Sequence, residues 1–297
     1  MGFCRCEPRR GPNPLRSRLV THPAPITLCG SLSLHPVSLG ASMHMAGYAA
    51  LGLPFTYVPF AVTSADLPGA LAGMRALGIR GYGVSMPFKL EVMPLLDRID
   101  ELAARIGAVN TIVNDDGVLA GHNTDAWGAA RALEEALPLA GRRAVVIGAG
   151  GAARAVAFSF CSEGMRVRVV NRTRDRAERL AAELVSAFDS GVASGGGLDE
   201  LSDLDGVDAL VNCSSAGMDG YGPNPVPRAA LRPDLVVMDI VYKPIQTPLL
   251  EQAAARGAKT VHGGRMLLHQ ACRQFELYTG RGAPLEAMDS ALRRAIG

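Results

Sequence analysis

The chain has 297 residues, and its 30 Lys and Arg residues against 28 Asp and Glu residues leave a formal net charge of +2. A charge this small creates no basic field that would attract nucleic acid or an anionic membrane, and no apolar run approaches the roughly 18 residues of a membrane span. The length exceeds the usual range of about 100 to 200 residues for one domain. We therefore expect a soluble, cytoplasmic, two-domain protein whose partner is a small molecule.

The six cysteines form no C-x-x-C pair and have no metal-ligand spacing with the histidines, so the sequence predicts no metal site and fits a reducing compartment. Residues 1–26 are rich in Arg and Pro, contain Glu7 as their only acid and lack apolar periodicity. This composition predicts a disordered N-terminal extension. Three origins of this segment stay open: it is a solvated tail, it is translated from an upstream start codon, or it is an organelle transit peptide.

Extended and helical patterns alternate from Pro25 onward, which is typical of an α/β domain. Pro87 suits the first position of a helix, so a short helix is expected to follow it as far as Leu96. The other elements predicted in this part are strands at 26–31, 55–62 and 81–86 and helices at 44–51 and 65–77.

Two extended runs, VNTIVND and VLAGHNT, are joined at Asp115-Asp116-Gly117. The Asp-Gly pair supplies the backbone conformations of a tight turn, so these runs predict a β-hairpin. Thr124 is then expected to cap a helix that carries Asp125 in its first turn.

A βαβ unit is predicted around residues 143–171, where an apolar strand meets a glycine turn and an alanine-rich helix. Later strands at 208–212, 235–241 and 259–262 are expected to extend a parallel sheet. Residues 190–197 are predicted to form a flexible loop.

The glycine turn has the sequence G-A-G-G-A-A-R and begins at Gly148. Gly148, Gly150 and Gly151 allow a tight turn and close approach of a pyrophosphate, while amides of the helix start, including that of Ala152, face the anion. We therefore expect a dinucleotide at this position, and a simple tight turn is the structural alternative.

The residues after the second strand of this unit indicate which dinucleotide is bound. An enzyme that uses NAD usually has an acid there, whereas this chain has Asn171, Arg172, Thr173 and Arg174, with Arg176 beyond. Guanidinium groups bind a 2′-phosphate bidentately, and cations at a helix start oppose the helix dipole unless an anion is present. NADP is therefore the expected cofactor, in preference to a solvated basic surface.

Two charged residues are candidates for the chemistry. Lys89 is expected near the first turn of a short helix, where a cation is disfavoured and could exchange a proton with an alcohol or ketone; the alternative is a surface lysine. Asp125 by itself is an ordinary first-turn acid. However, it lies where the first α/β region meets the nucleotide domain, and substrates usually bind in such clefts.

Five motifs now carry a family resemblance: V-S-M-P-F-K at 84–89, G-A-V-N-T at 107–111, H-N-T-D at 122–125, the glycine turn and N-R-T at 171–173. In this order, from about Ile26 to the C-terminus, they resemble the shikimate dehydrogenase family. The resemblance implies an N-terminal α/β substrate domain at 27–124, completed by helices at 263–297. It implies a Rossmann-type, doubly wound parallel-sheet NADP domain at 125–262.

The resemblance also implies the reaction, a reversible reduction of 3-dehydroshikimate to shikimate in aromatic amino acid biosynthesis. Lys89 and Asp125 would form the catalytic pair. The cofactor would be held by Gly148, Gly150, Gly151, Ala152, Asn171, Arg172, Thr173 and Arg176. The substrate would be bound by Ser38, Ser85, Asn110, Tyr242 and Gln270.

Two positions depart from the family pattern. The segment Ser38-Leu39-Gly40-Ala41 keeps only the first serine of a Ser-x-Ser-Pro stretch that binds the substrate carboxylate, and Gly83 stands where the family usually has Asn. The pattern S-L-G-A-S-M-H at 38–44, with residues 74–81 and FELYT at 275–279, is similar to a shikimate dehydrogenase-like branch, for which quinate or an aminoshikimate is an alternative substrate. A catalytically silent metabolite- or nucleotide-sensing module is the alternative from another class, and the presence of both Lys89 and Asp125 argues against it. Whether the chain is a monomer or a homodimer stays open.

Overall fold

The computed structural model describes residues 25–218 and 222–296, so the expectation for residues 1–26 lies almost entirely outside the described residues. The described strands form two six-stranded sheets, the first built before residue 123 and the second after residue 142. No helix in the described ranges is both long enough and apolar enough to cross a bilayer.

The first sheet is mixed and has the strand order β2-β1-β3-β5-β6-β4. Its strands are β1 (Thr27–Ser33), β2 (Phe55–Ala61), β3 (Gly81–Val84), β4 (Arg98–Ile99), β5 (Thr111–Asp115) and β6 (Val118–His122), and its helices are α1 (Leu39–Ala50), α2 (Leu67–Ala76) and α3 (Glu101–Ile106). Strands β5 and β6 form the predicted antiparallel hairpin. Asp116 and Gly117 have φ values of 51° and 91° at its turn, as a tight two-residue hairpin loop requires.

The second sheet is parallel throughout and has the order β9-β8-β7-β10-β11-β12. Its strands are β7 (Arg143–Ile147), β8 (Arg166–Val170), β9 (Ala193–Gly196), β10 (Ala209–Asn212), β11 (Val236–Asp239) and β12 (Lys259–His262). The helices α5 (Gly151–Ser162), α6 (Arg174–Ala187) and α7 (Pro248–Ala255) connect them. Numbered from β7, the order is 3-2-1-4-5-6, that of a doubly wound dinucleotide-binding sheet. The predicted α/β fold class is confirmed.

The remaining helices lie between and beside the two sheets: α4 (Thr124–Glu134), α8 (Gly263–Thr279) and α9 (Leu285–Ile296). Helices α4 and α8 pack closely, because a Cβ on Gly128 would come within 2.6 Å of the Met266 carbonyl oxygen and 2.9 Å of the Gln270 nitrogen. Helix α8 also buries Phe275 against α1, so that a Cβ on Gly47 would lie 2.8 Å from its ring. The C-terminal helices therefore pack on the first sheet.

Residues 190–197 are not the expected flexible loop, because Ala193–Gly196 form the edge strand β9, paired with β8. A Cβ on Gly195 would lie 2.5 Å from the Cα of Glu178 in α6. The small residues that suggested flexibility instead allow the strand to pass directly beneath a helix.

The short helix expected after Pro87 is also wrong. Residues 86–92 form turns, followed by a single 3₁₀ turn at Met93–Leu95. The carbonyl oxygen of Lys89 accepts a hydrogen bond from Val109 N at 2.9 Å instead of from the following turn, which interrupts the helix. Lys89 therefore does not lie at a helix N-terminus, and the helix dipole does not account for its position.

His44 of α1 is fully buried in an aromatic cluster with Tyr48, Tyr57 and Phe275. Its ring stacks on that of Tyr57, with 4.4 Å between the centroids and 5° between the planes, and its Nε2 lies 3.4 Å from Gln274 Oε1. Burial lowers the pKa of His44 from 6.5 to about 4, and the hydrogen bond to Gln274 opposes this shift. The imidazole is therefore neutral near neutral pH.

Acidification should destabilise the wild-type protein more than a His44→Phe variant. Unfolded His44 takes up a proton below its ordinary pKa of 6.5, whereas the folded side chain stays neutral down to about 4, so stability is lost as the pH falls through this window. We expect this one group to cost roughly 2–3 kcal/mol between about pH 7 and pH 4.5. Urea unfolding at both pH values measures it, with the exposed His35→Phe as control. Equal losses in wild type and His44→Phe would contradict the prediction.

Candidate active site

Lys89 and Asp125 are 36 positions apart in the chain and meet in the structure. Lys89 Nζ donates a hydrogen bond to Asp125 Oδ2 at 2.5 Å, and the two side chains are 25% and 13% exposed. Lys89 comes from the turn after β3 and Asp125 from the first turn of α4. The pair is thus held in the structure yet still accessible to a small molecule.

The segment Val109-Asn110 anchors both sides of this pair. Val109 N donates to the carbonyl oxygen of Lys89 at 2.9 Å, and Asn110 Oδ1 accepts from Thr124 N at 2.7 Å. Asn110 Nδ2 donates in turn to Thr124 Oγ1 at 3.0 Å. Two adjacent residues therefore set where the ammonium and the carboxylate lie.

The cap of α4 differs from the expectation. Asn123, not Thr124, is the N-cap, and its side-chain oxygen accepts from Ala126 N at 3.1 Å. Thr124 is the first helical residue, because Asn110 takes up its backbone N–H and its hydroxyl group. Asp125 lies in the first turn, as predicted.

The candidate substrate-binding residues come from both halves of the molecule. Ser85 is exposed at the end of β3, four residues before Lys89, and Ser38 is exposed directly before α1. Gln270 is half-buried on α8 and faces Gly128, one turn after Asp125. Tyr242 follows β11 of the second sheet and is 40% exposed. Asn110 is buried, and one of its two amide N–H groups donates to Thr124 Oγ1. The other N–H group is left to donate to a ligand.

Gln274 is a buried polar residue of this region that the sequence analysis did not select. Its Nε2 donates to Thr111 Oγ1 at 3.0 Å. A Cβ on Gly83 would lie 3.0 Å from Tyr57 Oη and 3.3 Å from Gln274 Nε2, so these two groups fill the space above that glycine. The signal in the sequence was the spacing, since Gln270 and Gln274 are four residues apart and share one face of α8.

The glycine turn lies where β7 meets α5, next to the point where the strand order of the second sheet reverses. Gly148 has a φ of 114°, and a Cβ there would lie 3.2 Å from the Cys213 carbonyl oxygen, so this position requires glycine. By contrast, a Cβ on Gly150 or Gly151 would have no atom within 4 Å. The backbone of these two glycines therefore borders open space at the N-terminus of α5, where the first amides of a helix, here including that of Ala152, have no partner within the helix. This cradle fits the pyrophosphate of a dinucleotide.

The arginines after β8 differ in their partners. Arg174 pairs with Asp199 at 3.2 Å and Glu200 at 3.1 Å. Arg172 and Arg176 are exposed, and neither has a carboxylate within 4.0 Å in the part of the chain that the structure describes. Near them, Asn171 Nδ2 donates to the Thr173 carbonyl oxygen at 3.0 Å. Two of the three arginines are thus free to bind an anion.

The fold and the glycine turn define the class of the protein, a two-domain α/β protein of the dinucleotide-binding type. Three family models match the chain: "Shikimate dehydrogenase substrate binding domain" at 35–112, "Shikimate / quinate 5-dehydrogenase" at 130–216 and "Shikimate 5'-dehydrogenase C-terminal domain" at 263–293.

Comparison with whole proteins agrees with these matches. The shikimate dehydrogenase (NADP(+)) of Halorubrum lacusprofundi is 47% identical over 267 residues, covering 87% of this chain and 95% of the relative. A crystal structure of a shikimate dehydrogenase in complex with NADP+ is 39% identical, with a TM-score of 0.85 over 92% of this chain and 96% of that chain. The quinate dehydrogenase of Corynebacterium glutamicum in complex with NAD is 33% identical, with a TM-score of 0.83 over 91% and 99%. The chain belongs to the shikimate dehydrogenase family.

Replacing Gly150 by Ala should weaken NADP+ binding by roughly tenfold or more without destabilising the protein. The backbone at Gly150 (φ −90°, ψ −176°) suits alanine and the added methyl group meets no neighbour, but it would block backbone amides from a charged ligand. Calorimetric NADP+ titration and thermal unfolding measure the two effects.

Gly148→Ala is the matched comparison for this variant. It places alanine in a left-handed conformation against the Cys213 carbonyl, so it should lower the free energy of unfolding by about 1–3 kcal/mol. Wild-type NADP+ affinity in Gly150→Ala would show that the turn does not receive the dinucleotide.

Proposed function

We propose that the chain is an NADP-dependent shikimate dehydrogenase, which reversibly reduces 3-dehydroshikimate to shikimate or acts on a close cyclitol carboxylate. The observation that carries this proposal is the 2.5 Å contact between Lys89 Nζ and Asp125 Oδ2 at the start of α4, the helix that leads to the dinucleotide-binding sheet. Residues 27–124 with 263–297 would bind the substrate and 125–262 the cofactor. Membership of the family and the NADP-dependent activity of its relatives support the same function.

The chain's own contribution to the reaction is proton transfer and orientation. NADPH supplies the hydride for the carbonyl carbon when it is bound. Lys89 Nζ donates a proton to the carbonyl oxygen during reduction and takes it back from the hydroxyl group during oxidation. Asp125 holds the ammonium in place and accepts a hydrogen bond from a substrate hydroxyl. Positioned acid-base catalysis of this kind contributes about 10²- to 10⁴-fold to the rate.

Five side chains are assigned to the substrate. The hydroxyl groups of Ser38 and Ser85 are exposed and form no hydrogen bond with a side chain of the described residues, so they are available to a polar ring substituent. Asn110 has one amide N–H left, and Gln270 lies one helical turn from Asp125 across the α4–α8 contact. Tyr242 follows β11 of the second sheet and is partly exposed.

The cofactor is assigned to two segments of the second sheet. The turn formed by Gly148, Gly150, Gly151 and Ala152 would bind the pyrophosphate through backbone amides. Asn171, Arg172, Thr173 and Arg176 would bind the adenosine ribose and its 2′-phosphate, since free guanidinium groups pair bidentately with phosphate. We further propose a cytoplasmic enzyme of the shikimate pathway that works as a monomer or a homodimer.

A substrate panel tests the function. Purified protein is mixed with NADP+ and shikimate, quinate or an aminoshikimate, each also with NAD+, and formation of reduced nicotinamide is followed. We expect the highest kcat/KM for shikimate with NADP+. A preference for quinate with NAD+ would instead match the Corynebacterium neighbour. Binding of NADP+ without turnover of any substrate would identify a sensing module and refute the proposal.

Substituting Lys89 by Ala should lower turnover by about 100-fold or more and leave NADP+ affinity unchanged, because the ammonium relays a proton but does not bind the dinucleotide. Steady-state kinetics and calorimetric titration separate the two effects. Lys259→Ala is the matched control, since among the described residues the hydrogen bonds of Lys259 Nζ go to the carbonyl oxygens of Glu135 and Ala136 at the far end of α4. Activity of Lys89→Ala close to that of the control would remove Lys89 from the mechanism.

A further inference from the structure

A cavity of about 230 Å³ lies beside the glycine turn. On one side it is lined by Ala149, Gly150 and Gly151, and on the other by arginines of α5 and α6. Those arginines are Arg154, Arg176 and Arg179. Arg172 is not among the lining residues, whereas Arg179, which lies outside the N-R-T motif, is.

The charges around this cavity do not balance. Arg154 pairs with Glu183, also in the lining, and its guanidinium donates further bonds to the carbonyl oxygens of Arg105 and Ile106. Its charge is therefore already compensated. Arg176 and Arg179 have no carboxylate within 4.0 Å in the described ranges. Two uncompensated positive charges thus face one cavity.

The sequence of α6 offers Arg179 ordinary helical partners, which it does not take. Asp175 and Glu183 lie four residues before and after it, the spacing at which ion pairs form along a helix. Neither is within 4.0 Å of Arg179, and Glu183 pairs with Arg154 of another helix. Arg176 and Arg179 are instead neighbours on one face, a spacing at which like charges repel unless an anion lies between them. Stabilisation of the isolated helix therefore does not explain Arg179.

We propose that Arg179 is a further arginine of the 2′-phosphate site, one helical turn after Arg176, so that its guanidinium group adds to those of Arg172 and Arg176 in the selection of NADP over NAD. This inference rests on the proposed function and extends it to a residue outside the glycine and N-R-T motifs. A phosphate monoester carries up to two negative charges and several acceptor oxygens, which two guanidinium groups can share.

The test uses fragments of the cofactor, so that it does not depend on turnover. Calorimetry measures the binding of 2′,5′-ADP and 5′-AMP, which differ by the 2′-phosphate, to wild type, Arg172→Gln, Arg176→Gln and Arg179→Gln. Arg174→Gln is the matched control, because Arg174 lies on the same helix but is paired with Asp199 and Glu200. Thermal unfolding verifies that each variant is folded.

We expect Arg179→Gln to weaken 2′,5′-ADP binding by about tenfold and 5′-AMP binding by less than about twofold. The loss should shrink as salt is added, since the group is exposed. Unchanged 2′,5′-ADP binding in Arg179→Gln, with a loss in Arg176→Gln, would overturn the inference but not the proposed function. Equal weakening of both fragments would also overturn it. Equal affinity of the wild type for the two fragments would refute the NADP assignment itself.

Discussion

The geometry of the candidate site depends on the buried Val109-Asn110 segment. One backbone hydrogen bond from Val109 holds the turn that carries Lys89, and the Asn110 side chain holds the first residue of the helix that carries Asp125. Lysine side chains are long and lose considerable conformational entropy when they are held in place. With the backbone fixed on both sides, only the two side chains have to be ordered when the 2.5 Å contact forms.

Helix α4, which carries Asp125, is also hydrogen-bonded to α5 of the second half of the molecule. Ser159 of α5 donates its hydroxyl hydrogen to the carbonyl oxygen of Ala126 at 2.6 Å, in the residue directly after Asp125. Helix α5 begins at the glycine turn, so a single buried hydrogen bond and two rigid helices connect the carboxylate with the cradle for the pyrophosphate. The close α4–α8 contact at Gly128 secures α4 from its other side. The position of the Lys89–Asp125 pair is therefore coupled through α4 and α5 to that of the glycine turn.

Local signals in the sequence predicted the elements whose conformation is set by neighbouring residues. The Asp116-Gly117 hairpin, the strand–glycine turn–helix unit and Asp125 in a first turn depend on short-range backbone chemistry, and all three are present. The predictions that failed depend on distant partners. The turn after Pro87 does not continue as a helix because the Lys89 carbonyl oxygen accepts a hydrogen bond from Val109, and Gly195 lies in a strand that packs against α6. Gln274 was missed because its partners, His44 and Thr111, lie 230 and 163 positions away.

The arginines show why residue type alone does not assign a binding role. Arg172, Arg174, Arg176 and Arg179 have the same chemistry and lie within eight positions. The carboxylates of Asp199 and Glu200 neutralise Arg174. Glu183 pairs with Arg154 and not with Arg179. An arginine can recruit an anionic ligand only when the folded protein has not already neutralised its charge. The distribution of acids among the arginines, which only the tertiary structure reveals, therefore decides which of them are available to an anionic ligand.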